Sequence, residues 1–223
     1  MTFTSPSYDC PLCPRLVHFR EGNRKNYPTF YNGPVPSFGS LDAEFLVVGL
    51  APGLKGANQT GRPFTGDYAG IILYSALEKF GFAKGSYDPE KVAKTKKQDA
   101  DGFELLNCRI TNAVRCVPQA NKPEPSEIKL CNKFLAAEIA AMPNLKVILT
   151  LGLVSHKAVI SALSLKQSAY VFGHGATHHL ELINCSLQLL NSYHTSRYNI
   201  NTGTLTQTMF DEVIERVKNV IGS

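Results

Sequence analysis

The 223-residue sequence has no tryptophan, only three methionines and no long apolar run. Its longest mainly apolar stretch, Val147 to Val154, falls far short of the ~20 residues that a membrane-spanning helix needs, so no membrane span is expected. The opening residues, MTFTSPSYDC, lack a basic segment followed by an apolar one, so no secretory signal is expected either. The excess of one charge sign is small. Lys plus Arg number 23 and Asp plus Glu 18, a net +5 that permits a nucleic-acid partner without requiring one. Six cysteines are too sparse for a disulfide scaffold, and with no signal segment they point to a reducing compartment. A 43% hydrophobic content is that of a folded chain long enough to bury a core.

Two of the cysteines form a close pair, Cys10-Pro-Leu-Cys13. Such a pair brings two thiolates to one centre and serves zinc, iron–sulfur or redox chemistry equally well. Cys116 and Cys131 are the candidates for the other half of a four-thiolate site, and they read equally well as small core hydrophobes. Cys108 and Cys185 sit in strand-like apolar surroundings and are expected in the core.

Residues 1–40, rich in Pro, Gly, Asn and Arg, read as an irregular arm. Short apolar runs near 44–49, 103–114, 146–151, 178–183 and 186–191 read as strands. Helical spacing covers 69–80, 126–141 (with Ser126 as its N-cap), 153–163 and a C-terminal stripe of Leu205, Met209, Val213, Val217 and Ile221. The Lys-rich segment 88–100 reads as a solvated face. Strands alternating with helices predict a parallel α/β sheet covered on both faces, in one domain spanning 1–223. Sites in such sheets lie in the loops after the strands, here 50–67, 112–125 and 193–203.

The first loop, GLAPGLKGANQTGRPFTGD from Gly49, fits neither the P-loop nor the dinucleotide pattern. Its glycines still let backbone approach a ligand closely. Phe64 and Asp67 can place an aromatic face and a carboxylate in one pocket, or else serve as core and helix cap. His194 follows an apolar strand directly, where an imidazole projects either as a catalytic group or as a structural one.

GLAPG, TGRPFTGD, TNAVRC, FGHGA and YHTSRYNINTGTLT, in that order, resemble the uracil-DNA glycosylase superfamily, and most of all its type B branch, family 5. The resemblance runs from about Cys10 to Leu205. It implies a three-layer α/β/α sandwich and a structural 4Fe-4S cluster on Cys10, Cys13, Cys116 and Cys131. It implies a monofunctional, monomeric repair enzyme of a bacterial or archaeal cytoplasm. That enzyme would release uracil and other deaminated bases such as hypoxanthine from double-stranded DNA, leaving an abasic site. Asp67, Asn112 and His194 would be catalytic. Gly49, Leu50, Ala51, Pro52, Gly53, Phe64 and His174 would hold the flipped base, and Lys55, Arg62, Ser196, Arg197 and Tyr198 would touch DNA. Alternatives are a uracil-only glycosylase and a non-catalytic DNA-binding module with a four-cysteine metal site; a sliding-clamp partner is left open. Two departures from the family-5 pattern stand out, at Gly53 and at Thr195. Gly53 replaces the usual alanine of family 5. Leu50 stands where family 4 carries an acid, and Thr195 where a proline is usual.

Overall fold

The computed structural model describes residues 4–182 and 186–222. Cys185 and the last residue of the 178–183 run therefore lie outside the described residues. The strands are β1 (Phe45–Gly49), β2 (Ala83–Lys84), β3 (Glu104–Leu105), β4 (Cys108–Asn112), β5 (Val147–Leu151), β6 (Thr177–Glu181) and β7 (Ser186–Ser192). The helices are α1 (Pro14–Asn26), α2 (Ala57–Thr60), α3 (Tyr68–Lys79), α4 (Pro89–Thr95), α5 (Pro125–Ala140), α6 (Leu153–Ala162), α7 (Arg197–Asn201) and α8 (Gln207–Gly222).

Five strands form the central sheet in the order β4-β1-β5-β7-β6, and β2 and β3 form a separate small ladder. Every residue of β1, β4 and β5 is buried, as expected of strands covered on both faces. Alternate side chains of β1 then serve two cores. Phe45 and Val47 pack with Leu73 and Leu77 of α3 and with Phe210 and Val213 of α8. Leu46 and Val48 pack with Leu135 and Ile139 of α5 and with Val159 of α6. This is the α/β/α sandwich. The sheet is parallel except at one edge, where β6 runs antiparallel to β7. The step from Glu181 to Ser186 is too short for the crossover a parallel pair needs, which leaves antiparallel pairing for these two strands.

The arm expected to be irregular contains α1. That helix has no apolar stripe to reveal it, because its buried residues are Leu16, Arg20 and Asn23. The arm is stitched to the rest by a bridge between Phe38 and Ile110 and by the Val35 amide donating to Arg115 O at 2.7 Å. The α5 helix starts two residues earlier than the Ser126 cap predicts. Glu124 is its N-cap and pairs with Glu127 in a capping box. No described helix is long and apolar enough to cross a membrane.

Candidate active site

From β1 the chain passes first to β4 on one side and then to β5 on the other. The carboxyl end of β1 is thus the point where the winding reverses and loops splay apart. A cleft of about 840 Å³ opens there, walled by the loops after β1, β4 and β7. Leu50, Ala51, Pro52 and Gly53 line it, as the motif led one to expect.

Gly49 closes β1 opposite Asn112, which closes β4. A Cβ on Gly49 would lie 2.4 Å from Asn112 Oδ1 and 2.4 Å from Phe64 Cζ. Only glycine therefore lets the carboxamide and the aromatic ring meet at the cleft floor. Asn112 lines the cleft, and its side chain makes no hydrogen bond to any described residue. Phe64 is 6% exposed and holds a φ of +54°, a strained conformation for an aromatic residue.

The surrounding loop enforces that strain. Tyr74 Oη donates to Pro63 O at 2.5 Å. Arg62 is fully buried, with its Nη2 2.7 Å from Asp101 Oδ2, its Nε donating to Thr65 Oγ1 at 2.9 Å and its Nη1 donating to Gln98 O at 2.7 Å. The rings of Phe38, Tyr74, Tyr87 and Phe103 surround its guanidinium. The expectation that Arg62 contacts phosphate is therefore wrong: a sealed cation paired to Asp101 cannot reach DNA. It is instead an internal strut for residues 62–65. Asp101, sitting in a polar run with no motif, was missed for want of any local signal.

Asp67 is both a cap and a cleft carboxylate. Its Oδ1 accepts from the Gly70 amide at 3.0 Å at the start of α3. Its Oδ2 lies under the glycine loop, where a Cβ on Gly53 would be 3.6 Å away and one on Gly56 2.9 Å. Burial pushes its pKa above the ordinary aspartate value, while the Gly70 amide and nearby His194 pull the other way. His194 lies across the cleft with its ring 6.3 Å from that of Phe64, near-parallel at 29°. Burial lowers its pKa, against the pull of Asp67, so it is neutral at pH 7. Its Nδ1 is buried with no hydrogen-bond partner among the described residues. An orphaned N–H is costlier than an orphaned lone pair, so the proton belongs on Nε2.

Thr195, in place of proline, does not leave this loop loose. It is fully buried and donates to Ala69 O at 3.3 Å, while Asn199 Nδ2 grips His194 O at 2.8 Å. Ser196 caps α7 through the Asn199 amide, and Ser196, Arg197 and Lys55 all face the cleft. Tyr198 stands 74% exposed beside it.

His174, which the resemblance implies would hold the base, is not among the residues that line the cleft. The Gly175 amide bonds Asn191 O at 2.8 Å and pins the turn flat against β7. His174 Nδ1 accepts from the Tyr193 amide at 3.3 Å, and its ring stacks on that of Tyr193 at 5.1 Å. It supports the strand end that carries His194. Asn121, which sequence reasoning passed over, does line the cleft.

At the other end of the β4 exit loop, Cys10, Cys13, Cys116 and Cys131 line one apolar cavity with Leu16, Val114 and Phe134. Burial pushes the Cys13 thiol up to about 11 and the Cys116 thiol up to about 12, and each feels neighbouring cysteines of the set. Cys131 is raised by the same cause. Arg20 is the nearby cation, with Nη1 4.0 Å from Cys116 Sγ and Nε buried without a partner among the described residues. Among the described residues, no three His, Cys, Asp or Glu side chains are grouped to hold a single metal ion. Cys108 is in the core as expected.

The sheet, the switch-point cleft and its residues match a known class. The profile of the uracil DNA glycosylase superfamily matches residues 36–218, and the chain belongs to that superfamily. Within it, the chain is 38% identical over 218 residues to the type-5 uracil-DNA glycosylase of Thermus thermophilus, covering 96% of this chain and 94% of that protein. The type-5 uracil-DNA glycosylase of Pyrobaculum aerophilum is 34% identical over 219 residues, covering 96% and 90%. A type-4 uracil-DNA glycosylase of Sulfurisphaera tokodaii is 28% identical over 190 residues, covering 83% and 76%. The chain thus falls with the type-5 branch.

Proposed function

We propose that this chain is a monofunctional DNA glycosylase that releases uracil, and also hypoxanthine, from double-stranded DNA. The observation that carries the reading is the convergence of Asp67, Asn112 and His194, from three separate loops, on one cleft beside Phe64. A damaged base within a duplex is out of reach and must be flipped out, at a cost of a few kcal/mol. In the cleft it stacks on Phe64, a contact worth roughly 1–3 kcal/mol. The C1′–N bond then breaks, and its electron pair leaves on the base. Neutral His194 donates from Nε2 to the base carbonyl as that charge grows, a donor worth roughly 10²–10³ in rate. Water adds to the electron-poor C1′ and gives its proton to Asp67. The raised pKa of this carboxyl makes it a better base than an ordinary aspartate. Asn112, whose carboxamide bonds no described residue, positions the water or the base. Lys55, Ser196 and Arg197 meet the backbone, and exposed Tyr198 enters the groove behind the extruded base.

The four thiols line one shared apolar cavity, a donor set that suits a 4Fe-4S cluster. Cys10, Cys13, Cys116 and Cys131 would hold it, and when bound it supplies a covalent tie between the arm, the β4 exit loop and α5. The protein acts as a monomer and a single domain in a bacterial or archaeal cytoplasm.

The test is base release from duplexes carrying one uracil, one hypoxanthine or only normal bases. Abasic sites at both damaged bases, without strand nicking, are expected. Release of uracil alone would leave the narrow glycosylase, and release of neither would leave a DNA-binding module.

A further inference from the structure

One wall of the cleft mouth comes from a turn outside every motif. Between β4 and α5 the chain reverses at 118–122, with the Asn121 amide donating to Pro118 O at 3.3 Å and the Lys122 amide to Gln119 O at 3.0 Å. Ala120 and Asn121 both hold positive φ, +50° and +56°. Two such non-glycine residues in succession persist only where the surroundings over-determine them. Here Arg15 does so from α1, two residues past Cys13. Its Nη1 donates to Gln119 Oε1 at 3.2 Å and its Nη2 to Lys122 O at 3.3 Å. Glu127 grips the same guanidinium through both oxygens, at 2.7 and 2.6 Å. Glu127 in turn accepts from the Glu124 amide at 2.7 Å, which fixes it to the start of α5. An exposed, strained turn is thus bolted to the fold by a charged fork.

The turn presents Asn121 to the cleft, whose lining also includes Lys55 and Arg197. The Asn121 carboxamide bonds no described residue, and neither cation has an ion-pair partner among the described residues. Unpaired cations and a free amide donor around one opening suit an anion. A strand whose base has been flipped must lay its own phosphates over that opening. We infer that Asn121 is a DNA-backbone contact whose amide donates to a phosphate at the cleft mouth, and that Arg15 is the positioning residue that aims it. This rests on the glycosylase reading above.

The test uses the uracil duplex and compares wild type with Asn121→Gly, Asn121→Asp, Arg15→Ala and the double variant Arg15→Ala/Asn121→Gly. Glycine accepts the +56° φ, so the first variant removes the side chain and spares the turn. Its KM should rise about 10-fold, the worth of one hydrogen bond to a charged group, and the loss should fall on KM rather than kcat. Asn121→Asp should be weaker still, because a carboxylate repels phosphate. Arg15→Ala should raise KM similarly, and the double variant should be no worse than the poorer single one, since Arg15 acts through Asn121. Unchanged KM in Asn121→Gly, equal KM for the Gly and Asp variants, or fully multiplicative losses in the double variant would each overturn the inference while leaving an active wild type. A wild type that releases no uracil would overturn both this inference and the glycosylase reading.

Discussion

Replacing Asp67 separates its two roles, because the same carboxylate caps α3 and faces the cleft. Its Oδ1 accepts from the Gly70 amide at 3.0 Å. Asparagine caps a helix about as well as aspartate, whereas alanine costs about 1 kcal/mol. For a domain of this size that is roughly 2–4 °C in Tm. Asp67→Ala should therefore lose both stability and rate, and Asp67→Asn should lose rate alone, by about 10²–10⁴-fold if the group is the base. Burial adds a second signature. A carboxyl whose folded pKa lies above its unfolded value binds protons more readily in the native state, so its contribution to stability falls as pH rises through that window. The window opens near the ordinary value of 3.8 and runs upward. Asp67→Asn should then melt at or above wild type at pH 7, with the difference closing toward pH 4 and below. Single-turnover base release and thermal melts across pH give both readouts. A wild-type rate in Asp67→Asn would refute the base assignment, and a melt clearly below wild type at pH 7 would refute the buried-charge argument.

Other perturbations test the scaffold. Gly49→Ala puts a Cβ 2.4 Å from both Asn112 Oδ1 and Phe64 Cζ, so base release should collapse while DNA affinity measured by anisotropy changes little. Asp101→Asn leaves the sealed Arg62 charge without its counter-ion and should cost about 3–5 kcal/mol, read as a lowered denaturant midpoint. If instead Arg62 served DNA, salt-dependent affinity would change and the midpoint would hold. Thr195→Val removes the Thr195–Ala69 hydrogen bond and should cost about 1 kcal/mol of stability, whereas Thr195→Ser should keep it. Protein purified without air should show the broad visible absorbance of thiolate-bound iron, and Cys116→Ser should weaken or abolish it. A colourless wild type loaded with zinc alone would sink the cluster proposal.

Much of the frame was legible in the chain. β1 and β5 are near-continuous apolar runs, with Thr150 the polar exception in β5, and strands buried on both faces read that way. Loops after such strands are where chemistry gathers, so Asp67, Asn112 and His194 could be named from motif and position before any side chain was placed. Thr195 shows the middle ground: its departure from proline was visible, but the Ala69 carbonyl that holds it lies 126 residues away.

Other features had no local trace. Arg62 sits inside a motif loop and looks like a phosphate ligand until its partner, 39 residues on, encloses it. His174 lies in a motif too, yet it packs on Tyr193 and accepts from the Tyr193 amide, outside the residues that line the cleft. The α1 helix buries polar residues, so periodicity could not announce it, and the turn that carries Asn121 is held by Arg15, 104 residues from its partner Gln119. Hydrophobic period and turn chemistry act over a few residues and are written in sequence. Which charge finds which counter-charge, and which loop tips meet, is decided only when distant segments pack.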